Sequence, residues 1–200
     1  MQFLKNYLKT PIIIKAFSKI KRKDFIPQGF KHLAEFDEPI PIGYGQTISQ
    51  PQVVAFMLEQ LQPKPGNKIL DIGAGSGWTT ALLAQIVSQK KGGKVIAMEL
   101  ISELAEFGRN NDKKYNCIKK GVVEFLCQNA FLGYKEQAPY DRILVSACAQ
   151  KIPQEWKDQL KIGGKIVTSF KSSIIVLEKK KQGFEQKEYS GFSFVPLIQE

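Results

Sequence analysis

The chain has 200 residues, 43% of them hydrophobic, with 29 Lys and Arg against 19 Asp and Glu and a formal net charge of +10. That length buries one good core, read as a single domain with a helical segment and loop over residues 1–50 and the core over 51–200. No apolar run approaches the roughly 18 residues of a membrane span, and the start is broken by lysines with no cleavage site behind an apolar stretch, which predicts a cytoplasmic protein.

Thr10 and Pro11 have the form of an N-cap and first helical position, and Ile13, Ala16, Phe17 and Ile20 follow at helical spacing, giving a short helical segment that ends near Pro27. The stretch PIGYGQTISQPQ, Pro41 to Gln52, combines glycines that admit close backbone approach with hydroxyls and an amide that hydrogen-bond without charge. It suits a neutral cradle. The plain reading is a helix entry with Ser49 as N-cap, Pro51 near the first turn and VVAFMLEQL as the apolar stripe. Local sequence leaves both open.

From Lys68 onward short apolar runs alternate with helical stretches: KILDIG, a helix over 78–89, KVIAMEL, a helix over 101–112, VVEFLC, DRILVSA, a helix near 153–160, GGKIVTSF, SIIVLEKK and FSFVPLI. The fold class is therefore α/β, a doubly wound Rossmann-like sheet that is mostly parallel. SIIVLEKKKQGFEQ predicts a C-terminal antiparallel hairpin turning at Gln182-Gly183.

In KILDIGAGSGW a buried strand runs into a turn with Gly73, Gly75 and Gly77 and then a helix, and such a turn lies at the carboxyl edge where ligands bind. A dinucleotide fingerprint needs Gly or Ala at 78, where Trp78 stands, and the Gly-Lys-Ser/Thr of a phosphate loop is absent. Asp71, two residues ahead of the glycines, repels phosphate and attracts an ammonium, while the helix start beyond Gly77 can hold a carboxylate. KVIAMEL ends in Glu99, 22 residues past Gly77, a place from which an acid accepts both ribose hydroxyls. Amino acid plus nucleoside is S-adenosyl-L-methionine. The competing reading is a glycine turn used only for close helix–sheet packing.

Three cysteines, Cys117, Cys127 and Cys148, have no C-x-x-C spacing, and His32 is the single histidine. Disulfide framework, metal site and Ser-His-Asp triad are all excluded on that count. The lysines are scattered over helix ends and turns, which argues against a dedicated nucleic-acid surface despite the +10 charge.

TPIIIKAFSKIKRKDFIP, DEPIPIGYGQTISQPQ, ILDIGAGSGW, APYDRILVSA, KIPQEWKDQLKIGGKIV and FVPL, in this order, resemble the protein-L-isoaspartate O-methyltransferases along nearly the whole chain. The most specific element is PIG-x-GQTIS-x-P. The resemblance implies S-adenosyl-L-methionine as cofactor, bound by Gln46, Asp71, Gly73, Gly75, Ser76, Gly77, Glu99, Leu100 and Asn129. It implies Ser49 with Thr47 as the catalytic pair, Gly45, Ile48 and Val195 as substrate-binding, no metal, isoaspartyl proteins and peptides as partners, and a monomer. Three positions depart from the family pattern: Asn129 stands for an acid that contacts adenine, SFK at 169–171 for PVG, and Ser193 for an arginine before FVPL. Two other readings compete. A nucleic-acid methyltransferase fits the charge, but VSACAQKIP lacks the Asn/Asp-Pro-Pro-aromatic loop of amino-directed base methylation. An inactive cofactor-binding module fits the departures, and intact Asp71, Glu99 and GQTIS argue against it.

Overall fold

Apolar runs four to six residues long cannot be buried on both faces alone, and stacking them in parallel under helices is the arrangement that does it. The computed structural model describes residue 4 and residues 6–197. In chain order it comprises α1 (Pro11–Lys19), β1 (Ile40–Gly43), β2 (Gln46–Ile48), α2 (Pro51–Leu61), β3 (Lys68–Ile72), α3 (Trp78–Val87), β4 (Lys94–Glu99), α4 (Ser102–Asp112), β5 (Val123–Cys127), β6 (Tyr140–Ala149), α5 (Gln154–Asp158), β7 (Leu160–Phe170), β8 (Ser173–Lys179) and β9 (Phe184–Ser190). The main sheet has the order β5-β4-β3-β6-β7-β8-β9, parallel through β7 and antiparallel for β8 and β9, as the sequence predicts.

Alternation sorts the strands' side chains into two layers. Ile69, Val95, Ala97 and Val167 join Ile13 and Phe17 of α1, Leu58 of α2 and Leu82 and Ile86 of α3 in one cluster. Leu70, Ile96, Met98, Ile143 and Ile166 join Trp156 of α5 and Tyr140 in the other. The N-terminal segment is thus built into the same core as α3.

Four local expectations are revised. The helical segment does not stop at Pro27: after α1 come 3-10 turns at Arg22–Phe25 and Gln28–Leu33. Thr10 sits at the N-cap of α1, but its hydroxyl donates to Glu59 Oε2 at 2.7 Å and caps nothing on its own helix. Ser49 is not the N-cap of α2. Pro51 occupies the first turn, Gln50 is the cap residue with no side-chain cap bond, and Asp37 accepts the Gln52 amide at 2.9 Å instead. FSFVPLI forms no strand among its described residues; Pro196 makes a single parallel bridge to Cys148, and Ile198 lies outside the described residues.

Candidate active site

Strand order reverses between β3 and β6, so a crevice opens past their carboxyl ends. The glycine turn after β3 forms its floor. Gly73 donates to the Met98 carbonyl at 2.9 Å, and Gly75 donates to Glu99 Oε2 at 2.8 Å. The other Glu99 oxygen accepts the Ile101 amide at 3.0 Å. Two backbone amides therefore aim the Glu99 carboxylate, and each oxygen keeps a lone pair for a hydroxyl donor. A Cβ at Gly75 would meet Ile42 Cδ1 at 3.3 Å, so only glycine leaves the turn open beneath the hairpin β1–β2. Glu99 is the only charged residue among the described residues of this inner cleft, whose wall also includes Gln46, Ile48, Gly73, Ser76 and Leu100.

That hairpin answers what the dense stretch builds. Tyr44 and Gly45 form its two-residue turn with φ of 55° and 70°, a geometry that matches the twist of paired strands. Gly43, with φ of 99°, takes the register shift in β1. The glycines thus shape the hairpin, and Gln46, Thr47 and Ile48 on its returning strand line the cleft.

A second, outer cleft abuts the first and shares five residues with it: Thr47, Ser49, Ser146, Val195 and Pro196. Its remaining wall includes Phe56, Phe192, Ser193 and Phe194, and no Asp, Glu, Lys, Arg or His lines it among the described residues. Phe56 stacks on Phe192 at 5.2 Å and meets Tyr189 edge-on at 5.0 Å, which fixes the aromatic shelf. A wall without cations offers nucleic acid none of the charge neutralisation on which its binding mainly rests.

Four predicted site residues stand outside these walls. Asp71 is fully buried; Thr79 and Thr80 hydroxyls donate to Oδ2 at 3.1 and 2.6 Å, and Oδ1 has no partner. Burial pushes its pKa up to about 6, against the pull of the two hydroxyls and with a further push from Glu99. Gly77 is a packing residue: a Cβ there would lie 3.3 Å from the Gly108 carbonyl oxygen of α4, so for this one glycine the close-packing reading holds. Gly45 is exposed at the hairpin tip. Asn129 is exposed and its Oδ1 accepts the Phe131 amide at 2.8 Å, while its neighbour Gln128 lines the inner cleft.

Three residues of this site escaped the sequence reading. Gln128 and Ser146 line it, and Arg22 holds it from below. Arg22 is 1% exposed and donates to the carbonyls of Phe36 at 3.1 Å, Glu38 at 2.6 Å and Ser49 at 3.1 Å, with weaker contacts to Ala34 and Ile48. Its guanidinium also lies 5.5 Å from the ring centre of Trp78, a wall residue of the inner cleft. Desolvation lowers its pKa to about 10, with Asp37 and Glu35 pulling the other way, so it remains a cation at neutral pH. The 3-10 turn at Arg22–Phe25 delivers it, and no motif marks it.

The profile of the family described as Protein-L-isoaspartate(D-aspartate) O-methyltransferase (PCMT) matches residues 1–200. A relative from Methanopyrus kandleri, named protein-L-isoaspartate O-methyltransferase, is 42% identical, covering 98% of this chain and 87% of its own length. One of the same name from Methanococcus aeolicus is 40% identical over 96% of this chain and 88% of its own. Among solved structures, a Plasmodium falciparum chain assigned to the same activity and crystallised with S-adenosyl-L-homocysteine superposes with a TM-score of 0.89 at 25% identity, covering 100% of this chain and 96% of that one.

Proposed function

The chain belongs to the protein-L-isoaspartate O-methyltransferase family, and on that premise we propose that it transfers a methyl group from S-adenosyl-L-methionine to the free carboxylate of L-isoaspartyl residues in damaged proteins and peptides. The methyl ester then collapses to a succinimide whose hydrolysis returns some normal aspartate. The observation that carries this reading is the junction of the two clefts, where Thr47, Ser49 and Ser146 meet and, among the described residues, no Asp, Glu, Lys, Arg or His stands in the shared wall.

The inner cleft suits the cofactor's parts. Glu99, aimed by Gly75 and Ile101, would receive the ribose hydroxyls, with Leu100, Gln128, Ser76 and Gln46 along the remainder. Behind the turn at Gly73 lies the buried Asp71 with Oδ1 unpartnered, and a carboxylate there makes that end of the cleft suit an ammonium better than a phosphate. Bound there, S-adenosylmethionine supplies a sulfonium methyl, which a carboxylate oxygen takes as the S–CH3 bond breaks, leaving a thioether and an ester with no proton transferred.

An isoaspartyl carboxylate has an ordinary pKa near 4 and arrives ionised, so the chain has no general base to provide. Its task is placement, to about 3–3.5 Å and in line. Hydroxyl donors from Ser49 and Thr47 orient an anion without the charge of a lysine, which would hold it too strongly or repel the sulfonium. Val195 and Ile48 exclude water from the junction. The same neutral wall speaks against a nucleic-acid substrate. Residues from both the N-terminal segment and the sheet line the two clefts, which supports the whole chain as one catalytic unit; we propose that it acts as a monomer in the cytoplasm.

The test is labelled methyl transfer. A peptide containing isoaspartate should take the label and lose it as methanol at mildly alkaline pH, while its normal-aspartate twin takes none. Base-stable label on RNA or DNA would sink the proposal.

A further inference from the structure

We propose that Ser146 is a third hydroxyl of the junction, donating to the isoaspartyl carboxylate beside Ser49 and Thr47. This rests on the substrate reading above and adds a residue to it.

Three observations support it. First, β3 and β6 are the neighbours between which strand order reverses, and their register pairs Ile72 with Val145. The next residues along, Gly73 and Ser146, therefore open the crevice from its two sides, and Gly73, lacking a side chain, leaves the space to Ser146. A Cβ on Gly73 would sit 3.6 Å from Ala147 Cβ. Second, the pairing of β6 with β7 shifts register between Val145 and Cys148. Such an irregularity re-aims the side chains within it. Ser146 sits there, half-buried between fully covered Val145 and buried Ala147, and lines both clefts. Third, a buried or half-buried hydroxyl normally bonds to a nearby carbonyl. Thr168 on the adjacent strand follows that rule, its buried hydroxyl donating to the Ser169 carbonyl at 3.2 Å. Ser146, in contrast, lines both clefts where they meet.

The chemistry follows from counting lone pairs. A carboxylate offers about four acceptor sites. One oxygen must stay free along the line of attack, so donors are wanted on the other oxygen and on the flank of the first. Thr47 and Ser49 approach from the hairpin side, and a strand-borne hydroxyl from the opposite wall prevents rotation about the bond to the carboxyl carbon. A donor on a rigid strand does this better than one on a loop.

The experiment compares the full chain with Ser146→Ala and Ser146→Thr, using an isoaspartyl peptide for turnover, S-adenosylhomocysteine for calorimetric affinity, and thermal unfolding. For Ser146→Ala the expected result is a fall in kcat/KM of about ten- to a hundredfold, the range of one hydrogen bond to a charged group. Cofactor affinity should stay within about twofold of the parent chain, with an unchanged melting temperature, and Ser146→Thr should recover most of the activity. Unchanged kcat/KM in Ser146→Ala overturns the inference, as does a loss matched by equal loss of cofactor affinity or stability, which would make Ser146 a packing residue. Labelling of the peptide by the parent chain, with Ser146→Ala equal to it, overturns this inference alone. A parent chain that labels no isoaspartyl peptide overturns the substrate reading together with it.

Discussion

Arg22 Nη2 donates to the carbonyl of Ser49 at 3.1 Å across 27 residues of sequence, so a residue that lines both clefts is held by a cation from the N-terminal segment. The hairpin is only 4 and 3 residues per strand, too short to be stable by itself. Arg22→Met takes the donor away from three close, part-buried carbonyl acceptors. Each such group costs about 1–3 kcal/mol, and partial relaxation should bring the total loss to about 3 kcal/mol, read by urea denaturation. Arg22→Lys keeps the charge without the fork, so it should recover only part of that. A loss under 1 kcal/mol for the methionine variant would show that the loop holds itself.

Ser49→Ala separates reaction from capping. Because Gln50 is the cap residue of α2 and Asp37 takes the Gln52 amide, the variant should keep its stability within about 0.5 kcal/mol, as surface substitutions do. Its kcat/KM should fall about ten- to a hundredfold. A stability loss near 1 kcal/mol with turnover intact would restore the capping role.

Asp71 carries a pH signature. Its folded pKa is raised, to about 6 from the ordinary 3.8, so the folded state binds the proton more tightly than the unfolded chain does. The contribution to stability is therefore fully present below pH 4 and is lost as pH rises through 6, about 3 kcal/mol in all for a shift of this size. Parent and Asp71→Asn chains, unfolded at a series of pH values without cofactor, should diverge over that window, with the parent falling relative to the variant. Parallel curves would place the Asp71 pKa near its ordinary value.

Gln128 and Asn129 should trade places. Since the Asn129 oxygen is bound to the Phe131 amide, Asn129→Asp should change S-adenosylhomocysteine affinity by less than about twofold, whereas Gln128→Ala should weaken it by about 1 kcal/mol, the value of one ordinary hydrogen bond. Tighter binding by Asn129→Asp would return that position to the adenine end.

Gly108→Ala tests the packing beneath the turn. The added carbon would lie 2.6 Å from Phe125 Cζ and 2.9 Å from the Gly75 carbonyl oxygen. The ring can swing but the carbonyl belongs to the cofactor turn, so overpacking should cost about 1–3 kcal/mol and weaken cofactor binding with it. Destabilisation with unchanged affinity would mean that α4 moves and the turn does not.

The centre of the sheet was legible because β3 and β4 are buried on both faces and read as unbroken apolar runs between turn residues. Glu99 and the glycine turn were legible because their roles depend on backbone position at a strand end. The misreadings have local causes. Pro51 at the first helical position makes its predecessor, Gln50, the cap, and that places Ser49 one residue too early. Asn129 lies outside the cleft wall because a short amide in a turn bonds the backbone amide two residues on. Tyr44 at positive φ hid the two-residue turn, since nothing in a tyrosine announces that conformation. Ser146 was hidden by a register shift, which breaks the alternation from which its direction would have been read.

Among the described residues the outer cleft has no charged side chain, while the molecule as a whole carries +10, and this divides encounter from residence. An acidic client protein feels the summed field at a distance and is drawn in faster, an effect that salt suppresses once the Debye length shrinks to about 8 Å. Once seated, the client meets neutral side chains, among them hydroxyls, amides, aromatic rings and aliphatic groups, and ionic strength has little left to act on. Raising salt should then slow association with acidic clients and leave their departure rate, and the KM of an uncharged-flank peptide, almost where they were. Damage arises wherever an asparagine or aspartate happens to fail, so a wall that does not read the charge of the flanking sequence leaves the choice of client to the lesion itself.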